Sequence, residues 1–538
     1  MINKITPIPN IQCLWSITCE TSGYIIVKNG KSLMIDCPSH SLSDLLHEAG
    51  LPIPEIILHT QVQEEHCREW SAFPNAEVYV YFEHIEIARK THKTHTTWNQ
   101  NEDWMTMRGV EKYGHCGCIT ERPPAKPLNV TRKLSHKEIL LWEGQELQLL
   151  KLPGSGKYAC GIYWANEDIL FSGDLVHTGG YIVNFYDIER CYGLPSGYQE
   201  LRHSLITALE LNPKLMMPTT GPIIDTPRKD CAALIGRTQW IEHQSTLRSN
   251  ETTSMTNYQP LRQFRKYKEI LPGLYQSRNH GNIILLLTLN GNGLIIDPDP
   301  CGGLEWEEEI RDFEADLMYF EQECGLKRIE AALFTHYHGD HVRMCNLLKA
   351  RYNTKLFATP DIAKLIETPQ RFPYPCKIPW YGIPFDHIKI DHIIPYDIPL
   401  DFQGIDITPV HTPGHCYAHA GFMFTWHDKK IVCTGDTLQY GAGPIQTALP
   451  IMYNDTAWPN RGFIKTYERL AAIKPDLILG GHSHSFYDPD GSIITDFIES
   501  AKTAMDLARQ MVNGDLLVAM TPPGYDEIRT ELQGNYRR

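Results

Sequence analysis

Hydrophobic and polar positions along the chain form the same strand–turn–strand pattern twice. An Asn-Gly pair at 29–30 separates two apolar runs, and the second run ends at Asp36. A second Asn-Gly pair at 290–291 separates two more apolar runs, which end at Asp297. An Asn-Gly pair between apolar runs is a strong hairpin signal, because both residues tolerate positive φ. The pattern therefore predicts two β-hairpins, each of which ends in an aspartate.

Further landmarks recur at an offset of about 260 residues, which is typical of an internal repeat. The matching landmarks are Pro153-Gly154 with Pro413-Gly414, Ser172-Gly173-Asp174 with Thr434-Gly435-Asp436, and the runs that begin at Pro213 and Pro475. The offset grows to about 275 residues between Thr60 and Thr335, which indicates an insertion that we assign to the acidic helical run 305–323. The chain is therefore expected to hold two copies of one α/β (α+β) fold. The expected divisions are a first domain at 1–240, a linker at 241–268, a second domain at 269–512 and a C-terminal tail at 513–538.

The second copy contains a histidine-rich loop, Thr-His-Tyr-His-Gly-Asp-His, at 335–341. The loop follows a run at 329–334 that is typical of a buried strand, and it precedes a helical pattern at 342–351. Three imidazoles and a carboxylate within six residues are suited to a transition metal. His336 and His338 alternate, so they project from one side of an extended segment. Asp340 and His341 follow at the turn into the helix, where they can face a second metal.

Three later strands of the second copy end in the remaining candidate ligands. A Pro-Gly turn presents His415, a strand ends at Asp436, and another ends at His482. Asp436 can bridge two cations with one carboxylate. We therefore assign His336, His338, His415 and Asp436 to one metal, and Asp340, His341, His482 and Asp436 to the other. His411, His419 and His484 are alternatives for ligand, outer-shell or substrate roles, and Asp297 is expected to orient a ligand.

The first copy keeps the landmarks and has lost most of these ligands. Allowing for the insertion, His336, His338, Asp340, His341, His415 and His482 correspond to Gln61, Gln63, Glu65, His66, Ser155 and Thr220. Glutamine and serine are poor replacements for imidazole at a divalent transition metal. The first copy is therefore expected to have the same fold without a metal site. It would persist by packing on the second copy, by forming a homodimer contact, or by covering one wall of the pocket.

Composition and charge narrow the possible partners. The 538 residues are 42% hydrophobic and 21% charged, with 64 acidic against 50 basic residues and a net charge of −14. This acidic balance repels phosphate backbones and disfavours a nucleic-acid substrate. The 15 cysteines are scattered without a Cys-x-x-Cys pair, and no apolar stretch approaches the ~18 residues of a membrane helix. These features, with a beginning that lacks the apolar core of a signal peptide, favour a cytoplasmic protein with reduced thiols and no membrane partner.

The motif set His-x-His-x-Asp-His, Pro-Gly-His, Gly-Asp and Gly-His resembles the metallo-β-lactamase superfamily. The resemblance covers residues 270–500 with all motifs present and residues 10–225 as a degenerate copy. It implies two αββα four-layer sandwiches in tandem, with a dinuclear metal site at one edge of the second. It is specific for fold and metal binding but only weakly specific for substrate, since one such site supports many chemistries.

The first functional hypothesis is hydrolysis of a small-molecule or carrier-tethered substrate. Two Zn²⁺ ions would lower the pKa of a bridging water to about 7. The resulting metal-bound hydroxide would attack an ester, lactone, thioester or amide carbonyl, and Asp340 would take or steer the proton. Tyr440, shortly after Asp436, is a candidate oxyanion or substrate donor, with a packed core tyrosine as the alternative reading.

The second hypothesis is oxygenation at two irons. The layout is similar to the diiron β-hydroxylases of non-ribosomal peptide pathways, which hydroxylate an amino acid tethered to a carrier protein. In those enzymes a glutamate serves at the position of His415, and no glutamate lies near it here. Iron also accepts imidazole and carboxylate ligands. A third alternative, a tRNA 3′-processing-type nuclease, also pairs a degenerate half with an active half, but the acidic charge does not suit its substrate.

Other branches of the superfamily fit less well. Flavodiiron proteins carry a glutamate at the position of His338. Cleavage-factor nucleases insert a large cap where this chain has only the short segment between Asp436 and His482. The classical zinc β-lactamases are secreted, whereas this sequence favours a cytoplasmic protein. The sequence therefore favours a hydrolase, with the oxygenase as the alternative.

Overall fold

The computed structural model describes residues 3–18, 21–38, 41–89, 124, 126–185, 188, 196–251, 258–279, 281–300, 306–367, 388–416, 418–438 and 462–514. These residues group into two compact units. Unit 1 contains the described residues of 1–243 together with 507–514, and unit 2 contains those of 244–506. No helix within these ranges is both long and apolar enough to span a membrane.

Unit 1 contains two sheets, as far as its described residues show. The first sheet runs in chain order from β1 to β7, antiparallel up to β4 and parallel from there on. Its strands are β1 Lys4–Pro7, β2 Leu14–Thr18, β3 Ser22–Lys28, β4 Lys31–Ile35, β5 Pro54–Leu58, β6 Glu77–Tyr81 and β7 Val130–Leu134. The second sheet has the order β12-β11-β10-β9-β8, and only β11 and β12 are parallel. Its strands are β8 Ile139–Trp142, β9 Gln145–Lys151, β10 Cys160–Trp164, β11 Ile169–Gly173 and β12 Leu215–Pro218.

Alternate residues of the central strands face two different cores of unit 1. Leu33 of β4 belongs to a core that also contains Trp164 of the second sheet, so this core lies between the sheets. The adjacent Met34 points to the opposite face and packs with Leu46 of the helix Leu42–Glu48. The sequence of a strand that is buried on both faces is a nearly continuous apolar run. The other described helices of unit 1 are Glu64–Cys67, Ile85–Ala88, Ser196–Glu210 and Pro227–Glu251, the last of which continues past residue 243 into unit 2. Two 3₁₀ turns lie at Trp70–Ala72 and Phe82–His84.

Unit 2 repeats this plan, with two sheets among its described residues. The first runs in chain order from β13 to β20, antiparallel up to β17 and parallel afterwards. Its strands are β13 Arg262–Phe264, β14 Tyr267–Leu271, β15 Leu274–Ser277, β16 Ile284–Leu287, β17 Asn292–Ile296, β18 Arg328–Leu333, β19 Lys355–Ala358 and β20 His392–Ile393. The second runs from β21 to β26, and only β24 and β25 are parallel. Its strands are β21 Leu400–Phe402, β22 Ile405–His411, β23 Ala420–Trp426, β24 Lys429–Gly435, β25 Leu477–Gly480 and β26 Ser485–Tyr487.

The helices of unit 2 explain the difference in length between the two copies. Trp306–Glu323 connects β17 to β18, whereas the much shorter Leu42–Glu48 makes the equivalent connection in unit 1. The insertion predicted at 305–323 is therefore a longer crossover helix. The helical pattern predicted at 342–351 is interrupted, because it forms two helices, Gly339–Val342 and Cys345–Tyr352. The remaining helices among the described residues are Pro360–Glu367, Phe463–Ile473 and Ser492–Met511, the last of which crosses the boundary between the units.

The tandem α/β architecture predicted from the repeat is confirmed. Both predicted hairpins are present, as β3–β4 and β16–β17. The placement of the domain limits stays a prediction. Part of the stretch interpreted as a linker is regular structure, since Pro227–Glu251 continues into it and β13 and β14 lie near its end.

Candidate metal centre

The candidate ligands of unit 2 lie just beyond the carboxyl ends of four strands. The histidine-rich loop follows β18, His415 follows β22, Asp436 follows β24 and His482 follows β25. β24 and β25 are parallel neighbours, and β17 and β18 are parallel neighbours in the other sheet. Neighbouring parallel strands end at the same edge of a sheet, so the loops after them meet there. The fold therefore collects side chains that are far apart in sequence.

Glycines permit the close approach of these loops. Gly435 has a φ of +48°, and a Cβ placed on it would collide with the side chain of Thr335. A Cβ on Gly481 would collide with Oδ1 of Asp436. Glycine is the residue that tolerates both positive φ and such close contact. The Gly-Asp and Gly-His pairs therefore shape the space around Asp436.

Two groups of donor side chains converge at this edge. The first consists of His336, His338 and His415, and the second of Asp340, His341, Asp436 and His482. Within each group one donor atom from each residue lies within 4.8 Å of the others. Nitrogen and oxygen ligands bind zinc at about 2 Å, so each group is compact enough to surround one cation. All seven predicted ligands are brought together, and their assignment to particular cations stays a prediction.

Asp436 connects the two groups. Its Oδ2 lies 3.4 Å from His415 Nε2 and 3.2 Å from His482 Nε2. Its Oδ1 lies 3.4 Å from Nε2 of His341. One carboxylate thus reaches histidines of both groups, which is the arrangement that a bridging ligand requires.

The first group is chemically suited to a cation. Nε2 of His336 and Nε2 of His338 are buried and have no hydrogen-bond partner among the described residues. Such orphaned atoms are uncommon in native proteins unless a ligand or ion accounts for them. Burial is the main reason why the pKa of each of these two histidines lies well below the usual value. Burial also lowers the pKa of His415 to about 4. All three imidazoles are therefore neutral near pH 7 and offer lone pairs to a metal.

Asp297 orients the ring of His341 through a contact with Nδ1. Oδ2 of Asp297 lies 2.9 Å from His341 Nδ1, so Nε2 is left to face the second group. Both oxygens of Asp297 also accept bonds from Thr335, at 2.7 Å from its backbone N–H and 2.5 Å from its hydroxyl. Burial opposes a charge on His341, but the carboxylates of Asp436, Asp297 and Asp340 raise its pKa well above the usual value. Asp297 therefore fixes the ring orientation and makes the imidazole a more basic ligand.

Asn282 is a site residue that the sequence motifs do not predict. This residue is buried, and its side chain contacts Asp340 and His341 of the second donor group. It accepts a hydrogen bond from the backbone N–H of His482 at 2.6 Å and donates one to the backbone carbonyl of Asp340 at 2.8 Å. A single asparagine at the start of a strand has no local signature, so only the three-dimensional placement identifies it.

The other predicted site residues lie in different surroundings. His411 contacts the ring of Tyr396 and belongs to neither donor group. His419 stacks on His336 with ring centroids 4.9 Å apart, and its Nδ1 lies 2.8 Å from the hydroxyl of Thr412. His484 stacks on Phe486. Tyr440 lies outside the described residues.

At the equivalent place in unit 1, the corresponding side chains contact one another directly. His66 lies between two carboxylates, with Nδ1 3.2 Å from Asp36 Oδ2 and Nε2 3.0 Å from Asp174 Oδ2. Although burial opposes a charge on His66, Asp174 and Asp36 raise its pKa well above the usual value. Gln61 and Ser155, which correspond to His336 and His415, contact each other at 3.3 Å. Among the described residues of unit 1 there is no donor group like the two in unit 2.

Comparison with known proteins agrees with this description of the fold. The sequence profile of the Metallo-beta-lactamase superfamily matches residues 18–220 and again 279–482. The chain therefore belongs to the metallo-β-lactamase superfamily, with two copies of its domain. Superfamily members bind divalent metals, and the two donor groups of unit 2 can hold them.

Two curated relatives and one solved structure illustrate the similarity. The chain is 30% identical over 160 residues to the hydroxyacylglutathione hydrolase GloC of Haemophilus influenzae, a match that covers 28% of this chain and 63% of the relative. It is 25% identical over 177 residues to a probable metallo-hydrolase of Streptococcus pyogenes serotype M6, covering 31% of this chain and 68% of that protein. A metallo-beta-lactamase family protein of Thermus thermophilus aligns with 18% identity and a TM-score of 0.33, over 46% of this chain and 82% of that structure.

Proposed function

We propose that this chain is a metal-dependent hydrolase that cleaves an acyl substrate at two divalent cations held by unit 2. The observation that carries the proposal is the position of Asp436, whose Oδ2 lies within 3.4 Å of histidines from both donor groups. Such a carboxylate can hold two cations close together, as in the two-metal sites of hydrolytic enzymes. Five histidines and two carboxylates favour zinc as the cation.

Different residues of the site would bind the cations and accept the proton. His336, His338 and His415 would hold the first cation, while His341 and His482 would hold the second with Asp436 between them. Cations bound there supply Lewis acidity, which polarises a carbonyl and lowers the pKa of water to about 7. Asp340 lies at the edge of the second group, with Oδ2 3.7 Å from His482 Nε2 and 3.8 Å from His341 Nε2. This position suits a carboxylate that binds the second cation or accepts the proton of the attacking water.

A thioester is the first substrate class to test. The Haemophilus influenzae relative is named for hydrolysis of hydroxyacylglutathione, in which the acyl group is bound to sulfur. The similarity supports acyl cleavage as the reaction. Esters, lactones and amides share the same electrophilic carbonyl and form the comparison set.

The test is release of free thiol from an S-(2-hydroxyacyl)glutathione by the full-length protein with two equivalents of Zn²⁺. An ester, a lactone and an amide are assayed in parallel. We expect release that disappears with a chelator, returns with Zn²⁺ and is lost in Asp436→Asn, which removes one negative charge with little change of shape. Turnover that survives the chelator or Asp436→Asn, or no turnover of any of the four classes by the metal-loaded chain, would contradict the proposal.

A further inference from the structure

Asn282 lies where two ligand loops of the second donor group meet. It lies just before β16, and the residue is 2% exposed. One loop carries Asp340 and His341, and the other carries His482. These loops are far apart in sequence, so their spacing depends on tertiary contacts.

The carboxamide makes opposite hydrogen bonds to the two loops. Its Oδ1 accepts from the backbone N–H of His482 at 2.6 Å, and its Nδ2 donates to the backbone carbonyl of Asp340 at 2.8 Å. Nδ2 also lies 3.2 Å from His341 Nε2 and 3.5 Å from Asp340 Oδ2. One end of the amide is a donor and the other an acceptor, so the two backbone partners fix its orientation. Neither a carboxylate nor a hydrocarbon of similar size can make both bonds.

The loop that Asn282 holds has a strained backbone. His482 and the following Ser483 have φ values of +51° and +71°. Side chains other than glycine rarely adopt this region, and they persist there only when surrounding contacts enforce it. Lys268 supplies a further contact, because its Nζ donates to the backbone carbonyl of Ser483 at 2.8 Å. The position of the His482 ring therefore depends on hydrogen bonds that hold the loop.

Unit 1 contains a related contact at the equivalent position. Thr21 takes the place of Asn282, and its hydroxyl donates to the backbone carbonyl of Glu65 at 3.0 Å. Glu65 corresponds to Asp340, so the donor contact is kept in the copy without a donor group. Thr220 corresponds to His482, and the positive φ is taken by Gly221 instead. The donor contact to this loop is therefore common to both copies, and in unit 2 the same side chain also accepts from the strained His482.

We propose that Asn282 is a positioning residue that sets the distance between His482 and the Asp340 loop and so tunes binding of the second cation. The inference rests on the proposed metal-binding function, which it deepens. Replacement of outer-shell partners of metal ligands typically weakens metal binding 10–100-fold. The effect should fall on the second cation alone, because Asn282 touches no residue of the first donor group among its hydrogen bonds.

The test is a competition titration of metal-stripped, full-length protein with Zn²⁺ and a chromophoric chelator. We expect wild type to bind two equivalents, and Asn282→Ala to bind one unchanged and the other about 10–100-fold more weakly. Asn282→Thr should be less affected, since its hydroxyl can reproduce the Thr21 contact. Thr21→Ala, the matched change in unit 1, should leave both constants unchanged.

Two results would overturn the inference. One is wild-type affinity for both equivalents in Asn282→Ala. The other is equal weakening of both equivalents together with a lower melting temperature of the metal-free protein, which would indicate a general scaffold role. The titration uses no substrate, so a chain that binds two Zn²⁺ but hydrolyses nothing would contradict only the proposed function.

Discussion

Oδ2 of Asp436 lies 3.4 Å from Nε2 of His415, although the two residues follow different strands and belong to different donor groups. The same oxygen lies 3.2 Å from His482 Nε2. This carboxylate is therefore the geometric link between the two groups. A single negative charge between two cations offsets their mutual repulsion.

Loss of the bridging carboxylate should be more damaging than loss of one terminal ligand. We expect Asp436→Ala and His338→Ala each to reduce hydrolysis to background. Asp436→Ala should lose both cations, because they would lie close together unshielded. His338→Ala should retain the cation of the second group. Metal content by mass spectrometry and turnover are the measurements, and near-normal turnover in Asp436→Ala would show that the bridge is misassigned.

The substitution Asp297→Asn tests whether Asp297 orients the ring of His341 for metal binding. The substitution keeps the size of the side chain but weakens its hold on His341 Nδ1, so Zn²⁺ affinity should fall about 10–100-fold. Asp36→Asn is the matched control, because Asp36 makes the equivalent contacts to Thr60 and His66 in unit 1. We expect it to leave Zn²⁺ affinity unchanged. An equal loss of affinity in the two variants would contradict the assignment.

The Asp36–His66–Asp174 arrangement should make the stability of unit 1 depend on pH. The folded pKa of His66 is raised, so its contribution is complete below the unfolded pKa of about 6.5 and is lost as pH rises through the folded pKa. The folded pKa of Asp36 is lowered, mainly by His66 against the effect of burial, so its contribution is present above the unfolded value and is lost as pH falls through the folded pKa. The contribution of the whole arrangement is therefore largest in the mildly acidic to neutral range.

His66→Gln measures this contribution. Removing one partner of a buried ion pair typically costs about 3–5 kcal/mol, because the remaining charges are left uncompensated. We expect the variant to unfold at lower urea concentration than wild type at pH 6, and the gap to shrink in the alkaline range. Measurements on metal-stripped protein avoid the pH dependence of metal binding. A gap that stays constant or widens with rising pH would contradict a charged His66.

The repeat and the ligand motifs could be predicted from sequence because they are local patterns. Hairpins such as β3–β4 follow from apolar runs around an Asn-Gly pair, and the crossover helix Trp306–Glu323 follows from a break in the repeat offset. The ligands end strands, so their convergence follows from the topology of the fold.

The contacts that hold the ligands could not be predicted in the same way. Asn282 reaches His482 across 200 positions of the chain, and no spacing rule connects an asparagine to a backbone N–H at that distance. The repeat places His66 at the position of a ligand, but its direct contacts with two carboxylates are seen only in the structure. The break between Gly339–Val342 and Cys345–Tyr352 also depends on packing, because Met344 N–H bonds to the carbonyl of Pro298 there.

The most direct test of a two-zinc site in unit 2 is the metal content and visible spectrum of the full-length protein purified in air. Mass spectrometry of wild type, Asp436→Ala and His66→Gln gives the number of cations per chain and the unit that holds them. We expect two zinc ions per chain in wild type and in His66→Gln, no visible absorption, and loss of both ions in Asp436→Ala. Two irons with a visible band would contradict the zinc hydrolase and favour the oxygenase. Cations that are retained in Asp436→Ala but lost in His66→Gln would contradict a metal centre in unit 2 and indicate one in unit 1.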